Sequence, residues 1–216
     1  MSWVSAPLVG IQGKLIMTPV QILKAYGEGV KCGEYTPKKE TEQLEPLELL
    51  KFAMLMQGSR TEAVFEYLQG KRELNKLRYW KTQKERLEHL EDLKGIDKAL
   101  NGRSASKLRL WLKSIKGIGE KKAQMLINVM HRDLGHKFRD PENIDIATDV
   151  HVMRVFKRLG FSDGTPKDTI MAARRLNPEY PGELDLAAWY LGMKVCREFK
   201  PKCNTCILKE ECPSRF

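Results

Sequence analysis

The sequence predicts an essentially all-α fold, and three observations carry that expectation. Apolar residues recur at helical spacing, as in Ala123, Leu126, Ile127 and Met130, the i, i+3, i+4, i+7 pattern of a buried helix face. Period-two alternation, the mark of a half-buried strand, is scarce throughout. Helix punctuation also falls where the periodic runs begin and end. Pro46 and Pro166 suit first turns, and Gly160 stops a run. With 216 residues and no internal repeat, the chain can bury a sizeable core, between one large domain and two small interlocked ones.

In chain order, Val20 to Tyr26 is a short helix, followed by a Gly- and charge-rich linker through Lys38-Lys39-Glu40. Pro46 opens a helix with Leu47, Leu50 and Met54 on one face and Leu49, Phe52 and Met56 beside it, ending near Gln57-Gly58. A second helix spans Thr61 to Leu68. Residues 71–100 carry nine basic and six acidic side chains, with Leu74, Leu77, Trp80, Leu87, Leu90 and Leu93 spaced by three or seven. That pattern predicts a solvated helical pair with one buried stripe. Asn101-Gly102 is a turn, and Ser104 or Ser106 caps a helix over Lys107 to Ser114. The 131–143 stretch is polar and loop-like. Val152, Val155, Phe156 and Leu159 mark the next helix, Pro166 to Leu176 another, and Leu184, Ala187, Ala188, Leu191 and Val195 a last one that delivers Cys196.

Lys plus Arg number 38 against 28 acids, a formal net charge of +10 that favours a polyanionic partner. No apolar run reaches the ~18 residues needed to cross a bilayer, so no membrane role is expected. Met1 to Leu15 is too interrupted by Pro7, Gly10, Gln12, Gly13 and Lys14 for a signal peptide. An intracellular protein is therefore expected. The five cysteines agree, since four crowd into the last 21 residues and only Cys32 lies elsewhere, a poor disulfide framework but a good ligand cluster.

Those four, Cys196, Cys203, Cys206 and Cys212, are separated by six, two and five residues. Four thiolates in one short loop are what a cubane 4Fe-4S cluster needs. Zinc is the alternative, but structural zinc sites usually show two Cys-x-x-Cys knuckles and this chain has one. Lys200 and Lys202 in the widest gap place positive charge on the loop, suited to a phosphate backbone.

The second signal is Ile115-Lys-Gly-Ile-Gly-Glu-Lys-Lys-Ala123. Gly117 and Gly119 permit a tight turn that lets a phosphate approach backbone amides, and the helix starting near Glu120 aims its free N–H groups and positive dipole end at the same place. A helix C-cap followed by a turn would look similar. Residues 103–122, however, hold Arg103, Lys107, Arg109, Lys113, Lys116, Lys121 and Lys122 against only Glu120. Lys121 stands where an amine can serve as a Schiff-base nucleophile, or simply contact phosphate. Asp149 opens the next helix as a favoured N-cap and can also stabilise a cationic sugar as a glycosidic bond breaks. His151 reads as a polar contact near the same helix start.

Gly117-Ile118-Gly119-Glu120-Lys121-Lys122-Ala123, Thr148-Asp149-Val150-His151-Val152-Met153-Arg154 and the four closing cysteines resemble the endonuclease III branch of the helix-hairpin-helix DNA glycosylases. The motifs come in family order, and weaker similarity reaches back to about Leu47, roughly three quarters of the chain. The resemblance implies two helical lobes. Residues 46–143 would form a six-helix module with its helix-hairpin-helix near 107–131. Residues 1–45 plus 144–216 would form the lobe carrying the 4Fe-4S cluster in a loop at 196–212. It also implies a monomer acting in base-excision repair on genomic double-stranded DNA that contains a damaged base or an abasic site, with the lesion flipped into a pocket. Lys121 and Asp149 match the catalytic lysine and aspartate of a glycosylase with abasic-site lyase activity. Gly117, Ile118, Gly119, Lys116, Lys122, Lys200 and Lys202 would contact DNA, and Gln57 would fill the gap left by the flipped base. A monofunctional glycosylase using Asp149-activated water, and a non-catalytic DNA-binding iron-sulfur protein, are the alternatives. The chain departs from the family pattern at Lys116, where proline is usual, and at Glu120, expected to add negative charge beside Lys121. Segment 71–105 follows the pattern loosely.

Overall fold

A computed structural model describes residues 18–30, 45–55, 61–92 and 100–214. The element order is α1 (Pro19–Val30), α2 (Pro46–Leu55), α3 (Thr61–Leu68), α4 (Trp80–Asp92), α5 (Ala105–Ser114), α6 (Glu120–Arg132), α7 (Val150–Arg158), α8 (Pro166–Leu176) and α9 (Leu184–Lys194). No strand occurs among the described residues, and none of their helices is long and apolar enough to cross a membrane. The all-α expectation holds.

Two hydrophobic cores divide the chain. The first gathers Leu50, Phe52, Leu55, Leu90, Leu108, Leu112, Leu126 and Ile127 and ends with Ile144. The second gathers Leu23 from α1 with Ile146, Val152, Phe156, Ala172, Ala188, Leu191 and Leu208. The chain crosses from one core to the other within two residues, between Ile144 and Ile146. α6 lies at the junction. Its apolar stripe packs on α2 and α5, while Gln124 and Asn128 are buried on it as well.

α9 is the spine of the second core. Leu184, Leu186, Ala187, Ala188 and Leu191 are all buried, because α1 covers one side and α7 another. Small residues allow the close approach. A Cβ on Gly192 would lie 2.7 Å from the His151 carbonyl oxygen, so glycine there lets the first turn of α7 rest directly on α9. Phe156, fully buried in this core, is worth about 3–5 kcal/mol against truncation to alanine.

Several boundaries differ from the sequence reading, for local reasons. α1 extends beyond Val20–Tyr26 at both ends, with the Thr18 hydroxyl accepting from the Gln21 amide at 3.3 Å. The predicted helical pair over 71–100 contains one described helix, α4. Before it stands a 3₁₀ turn at Leu74–Lys76, and Tyr79 adopts φ +59°, which breaks any continuous helical path into Trp80. α5 begins two residues before Lys107. Ser104 caps it, and Asp140, from a segment read only as polar loop, accepts from the amides of Ala105 and Ser106 at 2.6 and 3.1 Å. α8 runs over Pro166–Leu176 as expected, and α9 ends two residues before Cys196.

Candidate active site and cysteine loop

α5, a short turn and α6 form a helical hairpin. Ile115 and Ile118 are buried, 2% and 5% exposed, and anchor the turn in the first core. Gly117 adopts φ +83° between them, a conformation that favours glycine. Gly119 is the N-cap of α6 and gives no side-chain cap. A Cβ there would meet nothing within 4 Å. The first amides of α6 have no intrahelical acceptor, and the space beside Gly119 is open. Lys116 is exposed at the turn. The Lys122 ammonium donates to the Gly117 carbonyl at 2.8 Å and braces the hairpin from within.

Lys121, in the first turn of α6, meets Asp149 across the boundary between the two cores. The Lys121 Nζ lies 2.7 Å from Asp149 Oδ2, with the side chains 49% and 20% exposed. The other carboxylate oxygen caps α7, accepting from the His151 amide at 2.8 Å. Partial burial would raise the Asp149 carboxyl, but the bonds from Lys121 and the His151 amide outweigh it and hold it below the ordinary range.

The expectation that Glu120 places negative charge beside Lys121 is corrected by geometry. Adjacent residues on a helix point in different directions, and Glu120 turns back toward α5. There Arg109 NH1 and Lys113 Nζ bind its carboxylate at 2.6 and 2.8 Å. Burial raises the Glu120 carboxyl, while the bonds from Lys113 and Arg109 lower it further, so the net direction is downward. Part of the basic run thus neutralises Glu120.

The four cysteines line one cavity of about 30 Å³ with Arg158, Val195, Pro201, Lys202 and Lys209. Burial and the three neighbouring thiols raise the Cys206 thiol, offset in part by the Leu208 amide. Among the described residues no group of three or more His, Cys, Asp or Glu is placed to hold a metal ion. Two arginines tie this loop to α7: Arg154, quoted in the sequence motif without a role, and Arg158, which the sequence reading missed. Arg154 donates to the carbonyls of Cys196 and Gly192, each at 2.8 Å, and faces His151 Nδ1 at 2.8 Å. Arg158 donates to Cys196 Sγ at 3.4 Å and to the carbonyls of Arg197 and Glu198 at 2.6 and 3.1 Å. Their signal was the i, i+4 repeat of arginine on the helix that Asp149 opens. The structure thus keeps the cysteine loop apart from the Lys121–Asp149 pair, at opposite ends of a helix ~13 Å long at 1.5 Å per residue. Lys200 and Lys202 are exposed on that loop. Gln57 lies outside the described residues.

The chain is 33% identical over 105 residues to endonuclease III of Buchnera aphidicola subsp. Baizongia pistaciae, covering 47% of this chain and 43% of the relative. It is 32% identical over 113 residues to that of Thermotoga maritima, covering 51% and 48%. In fold it matches an endonuclease III trapped as a covalent intermediate with DNA, with a TM-score of 0.55 over 92% of this chain and 97% of that one at 19% identity. The chain is thus similar to endonuclease III in sequence over about half its length and in fold over nine tenths of it. A thermostable thymine-DNA glycosylase shares the endonuclease III-like fold, with a TM-score of 0.55 over 90% of this chain and 94% of that one at 14% identity. The sequence alignments span under half the length of these two endonuclease III relatives, and no family model matches.

Proposed function

We propose that this endonuclease III-like protein is a base-excision DNA glycosylase with abasic-site lyase activity. The observation that carries the reading is the 2.7 Å contact between Lys121 Nζ and Asp149 Oδ2 at the mouth of a basic helical hairpin. In the resting state the pair is an ammonium facing a carboxylate. During reaction the ammonium gives up a proton, the departing base takes one up, and the amine bonds to the sugar C1′ as the glycosidic bond breaks. The C1′–O4′ bond then opens, a proton passing from the amine nitrogen to O4′, and the resulting protonated imine permits loss of a C2′ proton and cleavage of the C3′–O bond with departure of the 3′ phosphate. Water then hydrolyses the imine and releases Lys121. Asp149, held in its charged form, orients the amine and offsets positive charge on the sugar rather than storing the proton.

DNA would dock at the Gly117–Ile118–Gly119 turn and on the first amides of α6, with Ile118 shaping the turn, since its side chain is core and its amide donates to the Ile115 carbonyl at 3.0 Å. Lys116 and the loop lysines Lys200 and Lys202 add positive charge along the phosphate path, with Lys122 bracing the turn. Residues 46–143 and 1–45 plus 144–216 serve as the two lobes, a division supported by the separate cores. The four cysteines around one cavity support a 4Fe-4S cluster, which their thiolates would hold and whose sulfurs the hydrogen bond from Arg158 to Cys196 Sγ would tune. That cluster would clip the loop to α7 and take no part in the bond changes.

Borohydride trapping on abasic-site duplex should yield a covalent adduct that Lys121→Ala abolishes. Base release without strand cleavage would instead assign Asp149 to water activation and Lys121 to phosphate. For the cluster, anaerobically purified protein should contain iron and acid-labile sulfide and absorb visible light. A colourless protein carrying zinc would overturn that assignment.

A further inference from the structure

Asp149 sits at the end of a connector, Ile144 to Asp149, that has no regular secondary structure. A segment of this kind should wander, yet its polar backbone groups are taken up one after another. The Ile144 carbonyl accepts from the Gly182 amide at 2.8 Å. The Asp145 amide donates to Gln124 Oε1 at 3.0 Å, and the Asp145 carbonyl accepts from Asn128 Nδ2 at 2.9 Å. The Ala147 amide donates to Asp185 Oδ1 at 3.2 Å. The Asp145 carboxylate is gripped by Arg174 of α8, Nε and NH2 at 2.7 and 2.9 Å, and touched by Gln124 Nε2 at 3.4 Å.

Gln124 and Asn128 are 1% and 0% exposed. They follow Lys121 on α6 at i+3 and i+7, on the same side of the helix. Burying two amides on an apolar stripe is costly unless their polar atoms are used, and here both bind the backbone of one connector residue, Asp145. Gln124 also reaches Glu120 Oε1 at 3.2 Å, and the Asn128 Oδ1 accepts from the Tyr180 hydroxyl at 2.9 Å.

We infer that Gln124 and Asn128, with Asp145 and Asp185, form a clamp that positions Asp149 against Lys121, so that one helix both carries the amine and holds the segment bearing its partner. These are positioning residues, and the inference rests on the lyase reading above. A displacement of about 1 Å at a reacting pair can cost on the order of 100-fold in rate. DNA docking on the hairpin does not pass through the connector.

The decisive variant is Gln124→Met, which keeps length and removes the amide. Single-turnover trapping on abasic-site DNA should slow by about tenfold or more. Affinity for duplex containing a non-cleavable tetrahydrofuran site should stay within about twofold, because the turn residues are unchanged and Glu120 keeps Arg109 and Lys113. An unchanged rate, or a rate that falls only in step with affinity, overturns the clamp. If Gln124→Met does not fold, Arg174→Gln decides, since the Arg174 side chain is 55% exposed and only its tip enters the network. A slowing of about threefold at constant affinity is expected there, and no change overturns the inference. If the wild-type protein forms no adduct, the lyase reading fails by itself. The clamp is then judged by hydrogen exchange at the Ala147 and Asp149 amides. Exchange faster by at least tenfold in Gln124→Met supports it, and equal exchange overturns it.

Discussion

Lys121 and Asp149 arrive at one point on two differently built supports. The hairpin is held by backbone: regular helices, a positive-φ glycine at Gly117 and two buried isoleucines. The connector's middle is held by side chains from α6, α8 and α9, while its backbone bonds sit at its ends, from Ile144 to Pro141 and Gly182 and from Asp149 to Ala147 and Met153. A support made of backbone tolerates change at its surface and fails at its special dihedral. One made of buried side chains fails wherever an acceptor or donor is lost, because the unpaired partner remains behind.

The largest effect expected is on the hairpin side at the amine itself. Lys121→Ala removes the nucleophile and should leave no trapped adduct, while thermal stability stays close to wild type, since a half-exposed ion pair is worth only about 0–1 kcal/mol. On the connector side, Asp149→Asn separates support from chemistry. Asparagine caps a helix as well as aspartate does, so α7 should keep its start, whereas loss of the negative charge facing Lys121 should slow trapping by about 10²–10⁴. Equal stability with unchanged rate would show that Asp149 is a cap only.

Asp185 tests whether the connector needs a charge or merely an acceptor. Complete burial, opposed by Arg132 and the Ala147 amide and reinforced by Asp149 and Asp133, pushes its carboxyl up to about 7. In the unfolded chain it would titrate near ~3.9. Between those values the folded state keeps a proton that the unfolded state has lost, so this residue makes stability fall as pH rises from ~4 to about 7, with the full penalty above. Asp185→Asn keeps an acceptor for Ala147 and cannot ionise. Thermal denaturation should therefore show it more stable than wild type at pH 8, by about 1–4 kcal/mol, with the gain gone near pH 4. Trapping should stay within about threefold. A loss of stability at both pH values would mean the charge is paired and needed.

These two supports also differ in how plainly they could be read from the sequence. The hairpin was legible because its devices are local: glycines two apart, a lysine in the first turn, an aspartate where a helix starts, cysteines in one short run. The folded chain brings Lys121 to Asp149 and gathers the four thiols. The all-α class followed for the same reason, from periodicity within single helices. The connector was illegible because its partners lie 17–38 residues away, and nothing local in the sequence marks Gln124 or Asn128 as its holders. Glu120 was misjudged as a neighbour of Lys121 because adjacency in sequence was taken for adjacency in space; its partners sit on α5. Tyr79 breaking the run before α4 was likewise beyond any composition argument.

The smallest effect expected distinguishes two glycines within the hairpin. Gly117 holds φ +83°, where an L side chain costs roughly 1–2 kcal/mol, so Gly117→Ala should lower the melting midpoint by a few degrees. Gly119 holds φ −88°, open to any residue, and a methyl there would project into unoccupied space. Gly119→Ala should therefore melt close to wild type yet weaken DNA binding, because that space is where a phosphate would reach the first amides of α6. Fluorescence anisotropy with undamaged duplex at two salt concentrations separates the cases: Gly119→Ala should lose affinity at both. If Gly119→Ala binds as tightly as wild type, the phosphate does not dock on this helix start, and the hairpin serves only to carry Lys121.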